Sequence, residues 1–366
     1  TNVAVNASSV NSITDTYTNL NLAYDAGIAG TISGLGNEAV TISDTTSAAN
    51  VNTIAGRTSG ILTATITTGA VTSTLAAITN VDANDVITFT TNDTSVDASD
   101  LVALALKVDT LGVNSVTTIT EAYNTANVAT VVTNALNITG NTELVSITGG
   151  SILATDVNTI LGATSGNVTA IVTADTAANL NSALTNATST DALTLTITDT
   201  SLSSLTNLLA LDTKTSVAVN ASSITSITET YANLNTAYSS TGISGLGNEA
   251  VTITDTQSAT NVNTILGKTT GTVTATVSTD TAANLNSALT NATSTDALTL
   301  TVNGATATAS DLISLDGKTN IAISVTATSV SGTFTDLNNI YVTNVSNYSN
   351  LGDENITITD TQSATN

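Results

Sequence analysis

The chain has no histidine, cysteine, methionine, tryptophan or proline among its 366 residues. Without histidine, the commonest general base and metal ligand is missing. Without cysteine there is no disulfide, no thiolate nucleophile and no cysteine-based zinc site. Basic residues number 5 against 28 acidic ones, a formal charge of −23. That balance disfavours nucleic acid, whose phosphates need Lys and Arg. It suits a solvated surface or one that gathers cations. No apolar run approaches 18 residues, so no segment reads as a membrane-spanning helix. Neither an initiator Met nor a signal peptide is present, and we expect the chain to be processed or part of something longer. Aromatics are only 2%, which leaves the core to Val, Ile, Leu and Ala. With 41% hydrophobic and 9% charged residues the chain is too apolar for a disordered acidic polymer.

What the chain has is repetition. DTAANLNSALTNATSTDALTLT at 175–196 returns unchanged at 280–301. AVTISDTTSAANVNTIAG at 39–56 matches AVTITDTQSATNVNTILG at 250–267, and LVSITGGSILATDVNTILG at 144–162 is a diverged copy between them. A fourth copy, NITITDTQSATN, starts at 355. Blocks of about 105 residues therefore begin near 39, 144, 250 and 355. The last residue falls inside a copy, and we expect the sequence to be a window on a longer array, or one that the next subunit continues.

Each block contains a shorter period of about 24 residues, with a stretched rung every fourth. A rung starts with alternation, as in Val251 and Ile253 or Leu298, Leu300 and Val302, the mark of a strand with one buried face. A helical stretch follows. In DTAANLNSAL, Ala282, Leu285 and Leu289 stand at i, i+3 and i+7, on one helix face, with Thr279 or Asp280 as N-cap. A polar or Gly turn closes the rung. A strand and a short helix cannot bury their apolar faces alone; stacked neighbours can. The expected fold is an α/β repeat solenoid, a continuous parallel β-sheet flanked by short helices, with residues 1–366 as a single continuous array. A pure parallel β-helix, with the helices as loops, is the alternative; the i, i+3, i+7 spacing favours the first. The buried Asn signature of leucine-rich repeats is missing.

All seven tyrosines fall in the stretched rungs. Tyr17 and Tyr24, Tyr231 and Tyr238, and Tyr341 and Tyr348 are each seven apart, on one helix face. They either pack over the sheet with hydroxyls at its edge, or face a neighbouring molecule as interface residues. The indel between copies, DAGIAGT against SSTG, is expected at a loop tip.

Carboxylates recur in register. Glu38, Glu249 and Glu354 precede a short strand, and Asp44, Asp255 and Asp360 follow it. In the diverged copy, Glu143 precedes the strand and Gly149 replaces the Asp. Acidic, Asn-rich turns offer the oxygens that calcium takes, so these six residues are candidate calcium ligands. The competing reading makes them turn and cap residues. Asp85, Asp191 and Asp296 recur elsewhere in the block. Arg57 matches Lys268, while Lys107, Lys214 and Lys318 share another rung end; each is expected to neutralise acids or cover a helix C-terminus.

Outward strand positions carry Thr, as at Thr63 and Thr65, Thr252 and Thr254, or Thr274 and Thr276. Such rows resemble the flat faces of ice-binding solenoids. No Ser or Thr has a histidine partner, no Gly-rich phosphate loop is present, and the carboxylates repeat where an active site occurs once, so no enzyme activity is expected.

In composition and repeat style the whole chain resembles the giant acidic Thr/Asn/Ala-rich repeat proteins of bacterial surfaces, cyanobacterial and marine. That resemblance implies an extracellular structural protein in a filament, sheath or surface layer, self-associating and often holding calcium. An adhesin stalk is the alternative, and an ice-binding solenoid a third. Nucleic acid and membrane insertion are not expected.

Overall fold

Segments that alternate apolar residues with Thr become strands, and segments with helical spacing become short helices. The computed structural model describes residues 3–123 and 127–363. Among these the chain is α/β, with thirteen α-helices, several parallel sheets and no closed barrel. Two units are formed: Thr1–Thr173 with Ala183–Leu193, and Ala174–Ser182 with Thr194–Asn366.

In the first unit, Ser12–Asp15, Ala39–Ile42, Leu62–Thr65, Val86–Thr90 and Thr110–Gly112 lie side by side in one sheet. Ser95–Asp97, Thr118–Ala122, Leu144–Ile152 and Val168–Val172 lie side by side in another. Neighbours run parallel and stand about two dozen residues apart, as in Val40 opposite Leu62 and Ala64 opposite Ile87. A parallel neighbour needs a crossover, and the helix of each repeat supplies it. Successive helices touch: Tyr17–Ile28 with Ala48–Ala55, then Val71–Ala77, Ala98–Ala105, Val128–Thr139 and Ala154–Ala163.

The second unit repeats the plan. Ser201–Leu202, Ser226–Glu229, Ala250–Ile253, Val273–Thr276 and Ala297–Thr299 form one sheet. Thr301–Val302, Ile323–Val325 and Tyr348–Ser349 form a second, and Ala307–Thr308, Ser329–Gly332 and Asn355–Ile358 a third.

The sheets are separate, of two to five strands, and not the one continuous sheet expected. The reason is a change of partner along a repeat. Ala297–Thr299 pairs with Val273–Thr276, whereas Thr301–Val302, two residues on, pairs with Ile323–Val325. The stretched repeats divide likewise: Val5–Asn6 pairs with Ile32–Ser33 and Ser12–Asp15 with Ala39–Ile42.

The core follows the pattern. Val251 and Ile253 are buried, as are Leu298, Leu300 and Val302. Ala282, Leu285 and Leu289 are all buried, along and just past the helix Ala282–Ala288. Each fully buried Leu contributes about 1.5–3 kcal/mol. The N-cap of that helix is Thr281, whose hydroxyl accepts from the Asn284 N–H, and not Thr279 or Asp280. Asp280 instead accepts from the Thr281 N–H and the Asn284 amide. The DAGIAGT insertion is not only a loop tip: it lengthens the helix to Tyr17–Ile28, 12 residues, against 9 in Tyr231–Ser239.

Candidate functional site

In GLGNE the second Gly adopts a left-handed backbone, φ +127° at Gly36 and +132° at Gly247, which L side chains rarely enter. This turn aims backbone N–H groups at the Glu that follows. Glu38 accepts from Gly36 N–H at 2.8 Å, Asn37 N–H at 3.1 Å and the Tyr24 hydroxyl. Glu249 accepts from Gly247 N–H at 2.8 Å, Asn248 N–H at 3.1 Å and the Tyr238 hydroxyl. Glu354 accepts from Gly352 N–H at 2.9 Å, Asp353 N–H at 3.2 Å and the Tyr341 hydroxyl. Glu38 is 1% and Glu249 0% exposed; Glu354 is half-buried. A carboxylate offers about four lone-pair sites, and three donors largely fill them.

Burial works to raise the Glu38 pKa, but the Tyr24 hydroxyl and the backbone N–H groups outweigh it and hold it below the ordinary value. Burial, then Glu38, pushes Tyr24 above the ordinary tyrosine range, and burial, then Glu249, does the same to Tyr238.

The aspartates act across repeats. Asp44 accepts from the Tyr17 N–H at 2.7 Å, Asp255 from Tyr231 N–H at 2.9 Å and Asp360 from Phe334 N–H at 2.8 Å. Tyr17, Tyr231 and Phe334 each open a helix, whose first N–H groups have no intrahelical partner. The acid after one strand thus caps the helix of the preceding repeat, where the helix dipole also favours negative charge. Asp93 holds Val71 N–H at 2.7 Å and Asp199 holds Ala177 N–H at 2.6 Å in the same way. Glu121 takes the Ser99 N–H and hydroxyl, and Glu229 the Leu205 N–H at 3.0 Å. In Glu229, burial is outweighed by the Thr230 and Leu205 N–H bonds, and its pKa falls below the ordinary value.

Other residues close the same gap. Asp85, Asp191 and Asp296 each accept, at 2.8 Å, the N–H of the first strand residue one repeat back: Leu62, Val168 and Val273. Asn52 accepts from Asn80 N–H, while the Asn80 amide donates to the Asn52 carbonyl; Asn158 with Asn186 and Asn263 with Asn291 do the same. Lys107 reaches the Ile78 and Val81 carbonyls, Lys214 that of Asn181 and Lys318 that of Leu289, all at helix ends or the turns beyond. Arg57 pairs with Asp25 at 2.6 Å. Sequence reasoning missed the Asn clasps and the cross-repeat direction of the Asp bonds. The signal was present in the constant spacing of 28 residues from Asn52 to Asn80, Asn158 to Asn186 and Asn263 to Asn291.

The tyrosine pairs divide. Tyr17 and Tyr24 share one helix, as do Tyr231 and Tyr238. Tyr341 and Tyr348 do not: Tyr341 lies in a π-helical turn and Tyr348 opens a strand. The proper alignment is TFTDLNNIY (333–341) with TYTNLNLAY (16–24), so Phe334 stands where Tyr17 does and Tyr341 where Tyr24 does. Tyr348, 6% exposed, occupies the place of Ile32 and Ile243. Of the six interface candidates, Tyr24, Tyr238 and Tyr341 turn their hydroxyls inward to Glu, Tyr348 is core, and Tyr17 and Tyr231 stay half-exposed.

The six calcium candidates are likewise spread over two duties, the turn and the helix cap. Among the described residues no group of three or more Asp, Glu, His or Cys is gathered where it would hold a metal ion. Thr rows align in register, Thr41 beside Thr63, Thr65 beside Thr88 and Thr252 beside Thr274. Comparison with protein-family models and with curated proteins finds no match.

Proposed function

We propose that the chain is an extracellular structural repeat protein of a bacterial surface, whose repeats stack as an α/β solenoid and which self-associates into a filament, sheath or layer. The observation that carries this reading is the recurrence of one set of cross-repeat hydrogen bonds in block after block. An enzyme needs its chemistry once; here buried Glu, capping Asp, Asn clasp and Lys–carbonyl contact are all reused. Resemblance to acidic surface repeat proteins adds composition to geometry. The carboxylates act as hydrogen-bond acceptors within and between repeats, and the remaining charge keeps the outer faces solvated. Among the described residues no helix is long and apolar enough to cross a membrane.

Electron microscopy of the purified chain is the test. Filaments or ordered sheets support self-assembly, isolated rods point to an adhesin stalk, and compact particles that do not associate sink the reading. The aligned Thr rows keep ice binding as a third reading, after the adhesin stalk; thermal hysteresis on freezing supports it and its absence removes it.

A further inference from the structure

The block that begins near 144 departs from its copies in one direction. Leu144 stands where they have Ala39 and Ala250, Leu153 where they have Ser47 and Ser258, and Ile171 where they have Thr65 and Thr276. None of the three is core: they are 50%, 53% and 52% exposed. Leu153 also loses a bond. Ser47 and Ser258 cap their helices by accepting the Asn50 and Asn261 N–H, while Leu153, at the same place before Ala154–Ala163, makes no side-chain cap. A residue that gives up a cap without burying its side chain breaks a local rule, and such breaks gather at functional sites.

The three lie on one face of a sheet. In Leu144–Ile152, Val145, Ile147 and Ile152 are buried, while Leu144 and Ser146 alternate with them on the outer side. Thr118–Ala122 and Val168–Val172 flank this strand, with Leu144 beside Thr118 and Ser146 beside Thr169. A bulge then shifts the register, so that Ser151 stands beside Ile171 and Ile152 beside Val172. Gly149 turns the bulge at φ +81°, and a Cβ added to Gly150 would meet the Tyr123 ring at 2.9 Å. Bulges re-aim side chains; this one sets Leu153 diagonally across from Ile171, where long side chains reach each other. The outward residues of the three strands carry no charge, and Glu121 faces inward, 5% exposed.

We propose that this face is where two copies of the chain meet, each laying Leu153 and Ile171 against the same face of the other. Charge selects the occupant. Each copy carries −23, and charge of one sign keeps molecules apart. A face free of charge lets two copies approach without that opposition, and a basic partner finds no acid on it to hold. Both sheets have the same strand spacing, so the outward rows of one interdigitate with those of the other, as in sheets packed about 10 Å apart. The contact uses one patch on both copies, a two-fold arrangement. The inference rests on the self-association reading and names the surface responsible for it.

The test returns both positions to the residues of the copies, Leu153→Ser with Ile171→Thr, and measures association by sedimentation equilibrium. The double variant associates more weakly by about tenfold or more. Its melting temperature when dilute does not fall, because Ser caps the helix and Thr suits the strand. Leu106→Ser, at a 72% exposed Leu that ends the helix Ala98–Ala105, changes association by less than about twofold. Equal association in parent and double variant overturns the proposal but leaves self-association standing, and equal weakening in Leu106→Ser has the same consequence. A parent that stays monomeric up to about 1 mM overturns both. Binding of that monomer to phosphatidylcholine vesicles, lost in the double variant, gives the face to a lipid surface and overturns the pairing of copies.

Discussion

Tyr238 and Glu249 set the balance at the residue scale. The carboxylate is fully buried and accepts from the Gly247 N–H, the Asn248 N–H and the phenol hydroxyl. Removing one donor leaves a buried acceptor short, which costs about 1–3 kcal/mol. Tyr238→Phe is expected to lower stability by that amount, read from the urea midpoint, while Tyr17→Phe, at a half-exposed ring, changes stability by less than about 0.5 kcal/mol. Acid acts on the same groups. Glu38 and Glu229 have folded pKa values below their unfolded ones. Their contribution is complete above the unfolded value, about 4.3, and is lost as pH falls through the folded value. Protonation also relieves repulsion within a chain of charge −23, so Glu38→Gln separates the two effects. Its urea midpoint, measured from pH 6 to 3, falls less steeply than the parent's. At the other extreme, Tyr24 and Tyr238 have folded values above the unfolded one. Their contribution is present below about pH 10 and lost as pH rises further.

Among elements, strand and helix positions were legible because the periods of alternation and of the helix face are short and uninterrupted. Val251, Ile253, Leu285 and Leu289 are buried as their spacing requires. The separate sheets were not legible, because a change of strand partner between Thr299 and Thr301 leaves no mark on an alternating pattern. The acids were half legible: register showed that they mattered, but spacing in sequence does not say whether a carboxylate faces a cation or the N–H of a helix one repeat back. The tyrosine pairing of Tyr341 with Tyr348 failed because seven-residue spacing was weighed over the neighbouring match of TFTDLNNIY to TYTNLNLAY. Asp255→Ala removes a charged cap from Tyr231 N–H and is expected to cost about 0.5–2 kcal/mol. Exchange at the Tyr231 amide speeds up in that variant, whereas a solvated surface acid would leave it unchanged.

Over the whole molecule, 28 acidic against 5 basic residues make self-repulsion the long-range term. Raising salt from about 0.01 M to 0.15 M shortens the screening length from about 30 Å to about 8 Å. The melting temperature should therefore rise with sodium chloride. If the carboxylates work as acceptors for N–H and hydroxyl groups, calcium and sodium chloride at equal ionic strength give the same melting temperature, and a chelator has no effect. A specific shift with calcium would restore the cation reading. The central proposal is that the chain self-associates through its repeats. Negative-stain electron microscopy of the purified chain tests it most directly: filaments or ordered sheets are predicted, and a field of compact, unassociated particles would contradict it.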